Sequence, residues 1–189
     1  MEDATVQHIR PVDLPRRNIE LKARDPDPSV SLGACRALGA DDHGEIWQRD
    51  TYFNVTNGGL KLREESPGRP HLIQFVRASE PQQRESQYRI IEVGDGGALR
   101  AALTETIGRQ GVVEKRRRLF LWRNARIHLD LVEQLGDFIE LEAVAPTDSD
   151  LTAEHALIDE LRAALSITDD RLLAVGYAEL LRTGAALQE

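Results

Sequence analysis

Cysteine is nearly absent from this 189-residue chain, which contains Cys35 alone. A single cysteine cannot form an intramolecular disulfide, and such low cysteine use is typical of a reducing compartment. No apolar run reaches the roughly 20 residues that a membrane-spanning helix needs. The acidic start of the chain, with Glu2 and Asp3, lacks the apolar core of a secretory signal. We therefore expect a cytoplasmic protein without a membrane partner.

A basic excess is also missing, because 24 Lys and Arg residues face 32 Asp and Glu residues and the formal net charge is -8. This balance argues against a nucleic-acid partner, although Lys115–Arg118 form a short basic run. Apolar content of 41% and charged content of 30% are those of an ordinary globular protein. We predict a flexible arm over residues 1–16 and a single domain over residues 17–189.

Alternation of apolar and polar residues recurs along the chain and predicts β-strands. The clearest case is Arg126–Val144, where two alternating runs join at a turn over Gln134–Asp137. This hairpin places Asp130, Glu140 and Glu142 on one face of the sheet. Similar runs predict six earlier strands, at Arg17–Arg24, Ile46–Val55, Leu60–Glu64, Leu72–Arg77, Gln87–Val93 and Val112–Trp122.

Helical spacing of apolar residues separates some of these strands and follows the last one. One helix begins after Asp27, a second runs from Asp95 to Gly108, and a third covers Thr152–Leu165. Shorter helices are expected within Asp169–Leu181, and a polar loop within Ser79–Ser86. The pattern predicts an α+β fold with eight mostly antiparallel strands, a number that can close into a barrel around one small ligand.

Charged residues collect on one face of the predicted strands. The basic members are Lys22, Lys61, Arg63, Arg77, Lys115, Arg117 and Arg126, and the acidic members are Glu20, Asp130, Glu140 and Glu142. These residues either coat the wet face of an open sheet or line the interior of a curled one. Spacing alone favours the wet face, because half-solvated antiparallel sheets are common. An interior would instead suit a polyanion together with a divalent cation.

Six segments, taken together and in order, resemble the CYTH superfamily of triphosphate tunnel metalloenzymes, which includes class IV adenylyl cyclases and thiamine triphosphatases. They read N-I-E-L-K-A-R, Q-R-D-T-Y-F, G-G-L-K-L-R-E, E-K-R-R-R, I-H-L-D-L-V-E-Q-L-G-D-F-I-E-L-E and G-Y-A-E-L-L, spread over about Arg17 to Leu181. The first segment resembles the family signature E-x-E-x-K, with Glu20 and Lys22 in the last two positions. Asn18 replaces the first glutamate of the signature, which implies weaker metal binding or the loss of a second metal.

The resemblance implies a closed, eight-stranded antiparallel tunnel with helices packed outside. It assigns triphosphate binding to the seven basic residues: Lys22, Lys61, Arg63, Arg77, Lys115, Arg117 and Arg126. It assigns Mg²⁺ or Mn²⁺ to Glu20, Glu140 and Glu142, with Asp130 either a ligand or a support for the ligands. Lys22 and Tyr52 are the candidates for activating the attacking water.

Three functions follow from this resemblance as hypotheses. The first is metal-dependent hydrolysis of an inorganic or organic triphosphate, and the second is an adenylyl cyclase that forms cyclic AMP and pyrophosphate. The third is a non-catalytic module that binds triphosphate or polyphosphate. The expected partner is a small-molecule triphosphate, and a homodimer is a possible assembly.

Overall fold

Eight antiparallel strands close into one barrel in the computed structural model, which describes residues 15–77 and 82–184. Around the barrel the order is β1, β5, β4, β3, β2, β6, β7, β8. The bounds are β1 (Arg16–Arg24), β2 (Asp41–Phe53), β3 (Gly59–Ser66), β4 (His71–Arg77), β5 (Arg84–Glu92), β6 (Arg109–Trp122), β7 (Ala125–Val132) and β8 (Gly136–Ala145). The predicted α+β fold with a closed eight-stranded barrel is thus confirmed.

Helices pack outside this barrel. They are α1 (Pro28–Ala37), α2 (Gly96–Ile107), α3 (Thr152–Ala164), a 3₁₀ helix (Asp169–Arg171) and α4 (Tyr177–Thr183). Asp27 and Asp95 cap α1 and α2 as their positions in the sequence predict, since their carboxylates accept hydrogen bonds from Val30 N at 3.3 Å and Ala98 N at 2.9 Å. No helix among the described residues is long and apolar enough to cross a membrane.

The main hydrophobic core lies between the barrel wall and helices α1 and α3. Outward residues of β1, β7 and β8, such as Leu21, Ile127 and Leu141, pack there against Ile158 and Leu161 of α3. Because neighbouring residues of a strand point to opposite faces, packing these apolar residues outward turns the charged residues inward. Packing of the hydrophobic core against α1 and α3 therefore determines that the charged residues face the inside of the barrel.

Helix α4 and the segment before it close one end of the barrel. Tyr177 and Leu180 pack against inward residues of β6 and β8, among them Val113 and Phe138. The segment is attached to β1 by a hydrogen bond from Leu173 N to the carbonyl oxygen of Lys22, at 2.9 Å. This attachment brings the tyrosine of the G-Y-A-E-L-L segment into the barrel.

Strand β5 begins earlier than predicted. It starts at Arg84 rather than Gln87, so the predicted loop at Ser79–Ser86 is wrong for its last three residues. The run from Arg84 to Ser86 is polar and reads as a loop, but β1 supplies the pairing that makes it a strand, as Glu20 lies opposite Arg84. Residues 82 and 83 lie outside any strand, as predicted, whereas residues 79–81 of that loop and most of the predicted arm at 1–16 lie outside the described residues.

Three other boundaries differ for similar reasons. β2 begins at Asp41, where pairing with β6 extends it beyond the β-prone residues, and β3 continues to Ser66 instead of turning at Glu65. The β7–β8 turn covers residues 133–135, so it begins one residue and ends two residues earlier than predicted, because Val132 pairs with Gly136. Gln134 takes the left-handed conformation of that turn, with φ of 66°.

Candidate active site

A cavity of about 480 Å³ runs through the inside of the barrel. All seven basic residues predicted to bind triphosphate line it: Lys22, Lys61, Arg63, Arg77, Lys115, Arg117 and Arg126. The predicted residues Glu20, Glu140, Glu142 and Tyr52 line it as well, whereas Asp130 does not. The closed barrel thus excludes the open, wet sheet that spacing alone favoured.

Asp130 lies behind the cavity wall. Its side chain is fully buried and accepts two hydrogen bonds from Arg117, from Nε and Nη2, both at 2.6 Å. It also accepts hydrogen bonds from Lys115 Nζ at 3.1 Å and from the Tyr177 hydroxyl at 2.9 Å. Asp130 therefore holds two predicted phosphate-binding cations in place, and its role as a metal ligand stays a prediction.

Glu140 joins the basic residues of two strands. Its carboxylate accepts a hydrogen bond from Lys22 Nζ at 2.7 Å and another from Arg117 Nη2 at 2.6 Å. Burial by itself would raise the pKa of this carboxyl, but Lys22 and Arg117 outweigh it and hold the pKa well below its usual range. Lys22 Nζ also lies 3.8 Å from the centre of the Tyr177 ring, a cation–π contact.

The three lysines of the chain, Lys22, Lys61 and Lys115, all line the cavity. Burial lowers the pKa of each, because a charged amine loses its hydration inside the barrel. For Lys115, burial and the neighbouring Arg117 lower the pKa to about 7. The tunnel therefore contains a cation whose charge changes near neutral pH.

Asp50, to which the sequence assigned no role, repeats the arrangement around Asp130. It is 2% exposed and accepts two hydrogen bonds from Arg63, both at 2.7 Å, and one from Lys61 Nζ at 3.0 Å. Tyr52 lies opposite Lys61 in the β2–β3 pairing, with its ring centre 5.5 Å from Lys61 Nζ. Burial, and then Asp50, raise the pKa of Tyr52, so the phenol keeps its proton at neutral pH.

Arg84 is a site residue that the sequence reasoning missed. Its Nε donates to Glu20 at 2.7 Å, and its Nη1 donates to the carbonyl oxygen of Ala174 at 2.6 Å. Arg77 also donates to Glu20, at 3.3 Å. The available signal was the alternation of Arg84, Ser86 and Tyr88, which places all three on the inner face of β5.

The donor atoms of His128, Glu140 and Glu142 fit a divalent cation. One donor atom from each lies within 4.8 Å of the others. The buried Asn18 adds a side-chain oxygen that has no hydrogen-bond partner and belongs to the same cavity. Carboxylate and amide oxygens suit Mg²⁺ and Mn²⁺. Burial, and then Arg117, lower the pKa of His128, so its imidazole is neutral at neutral pH and able to bind a metal.

The two ends of the cavity differ in chemistry. The end at α4 is charged, since Tyr177 contacts Lys22 and Asp130 there. Further from α4, the inward residues become apolar: β6 passes from Lys115 and Arg117 to Leu119 and Leu121. Ile46, Ile73 and Ile90 also line the cavity, while Arg126 lies opposite Leu121 in the β6–β7 pairing. A ligand with a charged end and an apolar end would match this gradient.

A closed antiparallel barrel with ion-paired charged residues inside defines a class of tunnel-shaped β-barrel proteins. Within this class, the CYTH domain model matches residues 16–168 of the chain. The protein therefore belongs to the CYTH family, as the sequence motifs indicated.

Solved structures share this fold. The PH1012 protein of Pyrococcus horikoshii OT3 is 24% identical, with a TM-score of 0.76 over 86% of this chain and 98% of its own. A proposed adenylate cyclase from Vibrio parahaemolyticus is 17% identical, with a TM-score of 0.71 over 87% and 97%. HpAC1 from Hippeastrum, a proposed adenylyl cyclase described as having a dominant triphosphatase activity, is 14% identical, with a TM-score of 0.64 over 89% and 96%. No curated protein shows significant similarity to this chain. At these low sequence identities, the comparisons with solved structures show a shared fold alone.

Proposed function

We propose that this protein is a divalent-metal-dependent triphosphatase that hydrolyses the terminal phosphate of a triphosphate held in the tunnel. One observation carries the proposal: among the described residues, seven cationic side chains but only five carboxylates line the cavity. Adding the buried Arg84 and Asp130, which do not line the cavity, leaves the cations in excess. An excess of enclosed cations is costly unless an anion binds there. A triphosphate supplies several negative charges and many acceptor oxygens.

Two buried acids prepare the cations for this ligand. Asp50 holds the guanidinium of Arg63, and Asp130 holds that of Arg117, each through two hydrogen bonds. Side chains held in this way need little rearrangement when the substrate binds, which is how charge stabilisation becomes effective in catalysis. Arg77 and Arg126 are more exposed and would contact the substrate nearer to solvent.

Glu140 and Glu142, with Glu20 near them across the β1–β8 pairing, would hold the divalent cation. That cation supplies neutralisation of the charge on the phosphoryl oxygens. Lys22 and Tyr52 orient the attacking water, whose proton passes to an oxygen of the transferred phosphoryl group. The water oxygen bonds to the terminal phosphorus while the bond to the bridging oxygen breaks, so the remaining diphosphate departs with the bridging oxygen and the terminal group is released as orthophosphate. Such transfer depends mainly on positioning and charge neutralisation.

An adenylyl cyclase is the second candidate, and the apolar end of the cavity favours it. Ile46, Ile73 and Leu121 offer a surface for an organic group such as a nucleoside. In that reaction the ribose 3′-hydroxyl attacks the α-phosphorus and pyrophosphate leaves. The same cations serve both reactions, so the position of the substrate along the tunnel decides between them.

The test is product analysis. Purified protein is incubated with ATP, tripolyphosphate or thiamine triphosphate, plus Mg²⁺ or Mn²⁺, and the products are identified by ³¹P NMR and chromatography. Orthophosphate from any of the three supports the triphosphatase. Cyclic AMP with pyrophosphate would establish the cyclase instead, and tight binding without turnover would leave a non-catalytic module.

Glu142→Gln tests the metal site within this proposal. We expect it to abolish metal-dependent turnover while the fold is retained, because the amide keeps the shape of the side chain and removes its charge. Glu105→Gln, on the exposed face of α2, is the matched control and should keep full activity. Full turnover in Glu142→Gln would contradict the assignment.

A further inference from the structure

His128 carries a buried nitrogen that has no hydrogen-bond partner. The residue is 4% exposed, and in the β7–β8 pairing it lies directly opposite Glu140. Its Nδ1 finds no hydrogen-bond partner among the described residues. A buried polar atom without a partner is costly, so this nitrogen calls for an explanation.

The nearest oxygens to consider belong to the two carboxylates of β8. His128 Nδ1 lies 3.6 Å from Glu140 Oε2 and 3.9 Å from Glu142 Oε1. Both distances are too long for a hydrogen bond. They do fit ligands of a shared ion: at bond lengths of about 2.1 Å, adjacent ligands of one ion lie about 3 Å apart and opposite ligands about 4.2 Å apart.

Both carboxylates are also free to use these oxygens. Glu140 Oε2 accepts one hydrogen bond, from Arg117, and a carboxylate oxygen has a second lone pair. On its other oxygen, Glu142 makes a distant contact of 3.6 Å with Arg126 Nη1. Arg117 thus holds the Glu140 carboxylate in place through Oε2, and the second lone pair of that oxygen is available to a metal ion.

We propose that His128 is a third protein ligand of the divalent cation, beside Glu140 and Glu142, and that its nitrogen makes the site select Mn²⁺ over Mg²⁺. This inference rests on the metal dependence of the proposed function. Mg²⁺ strongly prefers oxygen ligands, whereas imidazole binds first-row transition ions. Asn18 strengthens the effect, since a neutral amide attracts any divalent cation less than a glutamate would. With less negative charge at the site, the type of ligand atom has a larger share in determining which metal binds.

Pulsed EPR on the substrate-free protein tests the ligand directly. Mn²⁺ is added to the full chain, and nitrogen hyperfine coupling is recorded for natural-abundance protein and for protein labelled with [¹⁵N]histidine. We expect a ¹⁴N coupling that becomes a ¹⁵N coupling on labelling and that disappears in His128→Gln. The labelled wild-type protein shows that a histidine binds the ion even if the variant does not fold, and among the described residues His128 is the only histidine that lines the cavity.

Metal competition tests the selectivity. Affinities for Mn²⁺ and Mg²⁺ are measured by calorimetry without substrate, in the wild type and in His128→Gln. We expect the preference for Mn²⁺ to fall on the order of tenfold in the variant. His43→Gln, at an exposed position of β2, is the matched control and should change neither affinity.

Several results would overturn the inference. They are bound Mn²⁺ without nitrogen coupling, coupling that persists in His128→Gln, an unchanged metal preference in that variant, or no Mn²⁺ binding to the wild type at millimolar concentration. The first three leave the triphosphatase intact if orthophosphate is still formed. The proposed triphosphatase function is tested separately, by identifying the reaction products.

Discussion

Lys115 should couple triphosphate binding to the uptake of a proton. Its side chain is 3% exposed, and burial with the nearby Arg117 lowers its pKa to about 7. The free protein at pH 8 therefore carries mostly neutral Lys115. Negative phosphoryl oxygens stabilise the ammonium form, so the ligand raises this pKa and the complex binds one more proton.

The size of the effect follows from the shift. Above pH 7 the charged fraction of Lys115 in the free protein falls about tenfold per pH unit, so affinity should fall nearly tenfold between pH 8 and pH 9. Phosphate groups titrate near pH 6 and add little in this range. The effect of pH on folding stability has the opposite sign to its effect on triphosphate affinity. The lowered pKa of Lys115 reduces the free energy of unfolding below about pH 7, and this loss diminishes as the pH rises from about 7 towards the ordinary lysine value of 10.5.

Calorimetry measures the proton uptake. Tripolyphosphate is titrated at pH 8 with EDTA, which prevents metal-dependent turnover, in two buffers of different ionisation enthalpy. Burial also lowers the pKa of Lys22 and Lys61, so these lysines can take up protons too. The contribution of Lys115 is therefore the difference in proton uptake between the wild type and a Lys115 variant. We expect the wild type to take up about one proton more than Lys115→Arg, which stays charged. Arg116→Gln, the exposed neighbour, is the control and should match the wild type.

Direct titration provides the second measurement. The chain has three lysines, so NMR of [¹⁵N]lysine-labelled protein gives three side-chain signals that can be assigned by substitution. Equal proton uptake by the wild type and Lys115→Arg, or a Lys115 signal that titrates near 10.5, would refute the reasoning.

Two further predictions concern the C-terminal segment that closes the tunnel. Gly176→Ala should raise the KM for the triphosphate roughly fivefold. The new Cβ would lie 2.5 Å from Arg77 Nη2 and would displace that guanidinium from the substrate. Fivefold corresponds to about 1 kcal/mol, the value of one partly exposed charge contact. Gly33→Ala, whose Cβ would meet nothing within 4 Å, should leave the KM unchanged, and equal values in the two variants would contradict the idea. Tyr177→Phe should lower the free energy of unfolding, measured in urea, by about 1.5–3 kcal/mol. The substitution removes the hydroxyl that donates a hydrogen bond to Asp130 at 2.9 Å. A loss below about 0.5 kcal/mol would show that this hydrogen bond does not stabilise the fold.

The strands and their inner residues were largely predictable from the sequence. Alternation in Arg126–Val144 placed Asp130, Glu140 and Glu142 on one face, and the β7–β8 pairing agrees. Such alternation works because side chains of a strand point to opposite faces in turn. The same rule failed at Arg84, where a polar run offered no apolar face to count, and only the pairing with β1 made it a strand.

Partners distant in the chain were not predictable. Arg84 and Glu20 are 64 residues apart, and Tyr177 and Asp130 are 47 residues apart, yet each pair is joined by a hydrogen bond. Asp50 looked like an isolated acid until β3 brought Arg63 beside it. Local spacing contains no information on which strands become neighbours in a closed barrel.

By itself, the sequence determined two-faced strands, the inventory of charged side chains and, through its motifs, the family. It left open whether the charged face was wet or enclosed, because alternation defines two faces and not which of them meets water. Tertiary structure decided that. Packing of α1 and α3 on the apolar face turned the charged face inward, and closure of the barrel brought Lys22, Arg117 and Glu140 within hydrogen-bonding distance. Inside the barrel, away from bulk water, these charges interact strongly enough to shift each other's pKa values and to create a site for an anion and a cation.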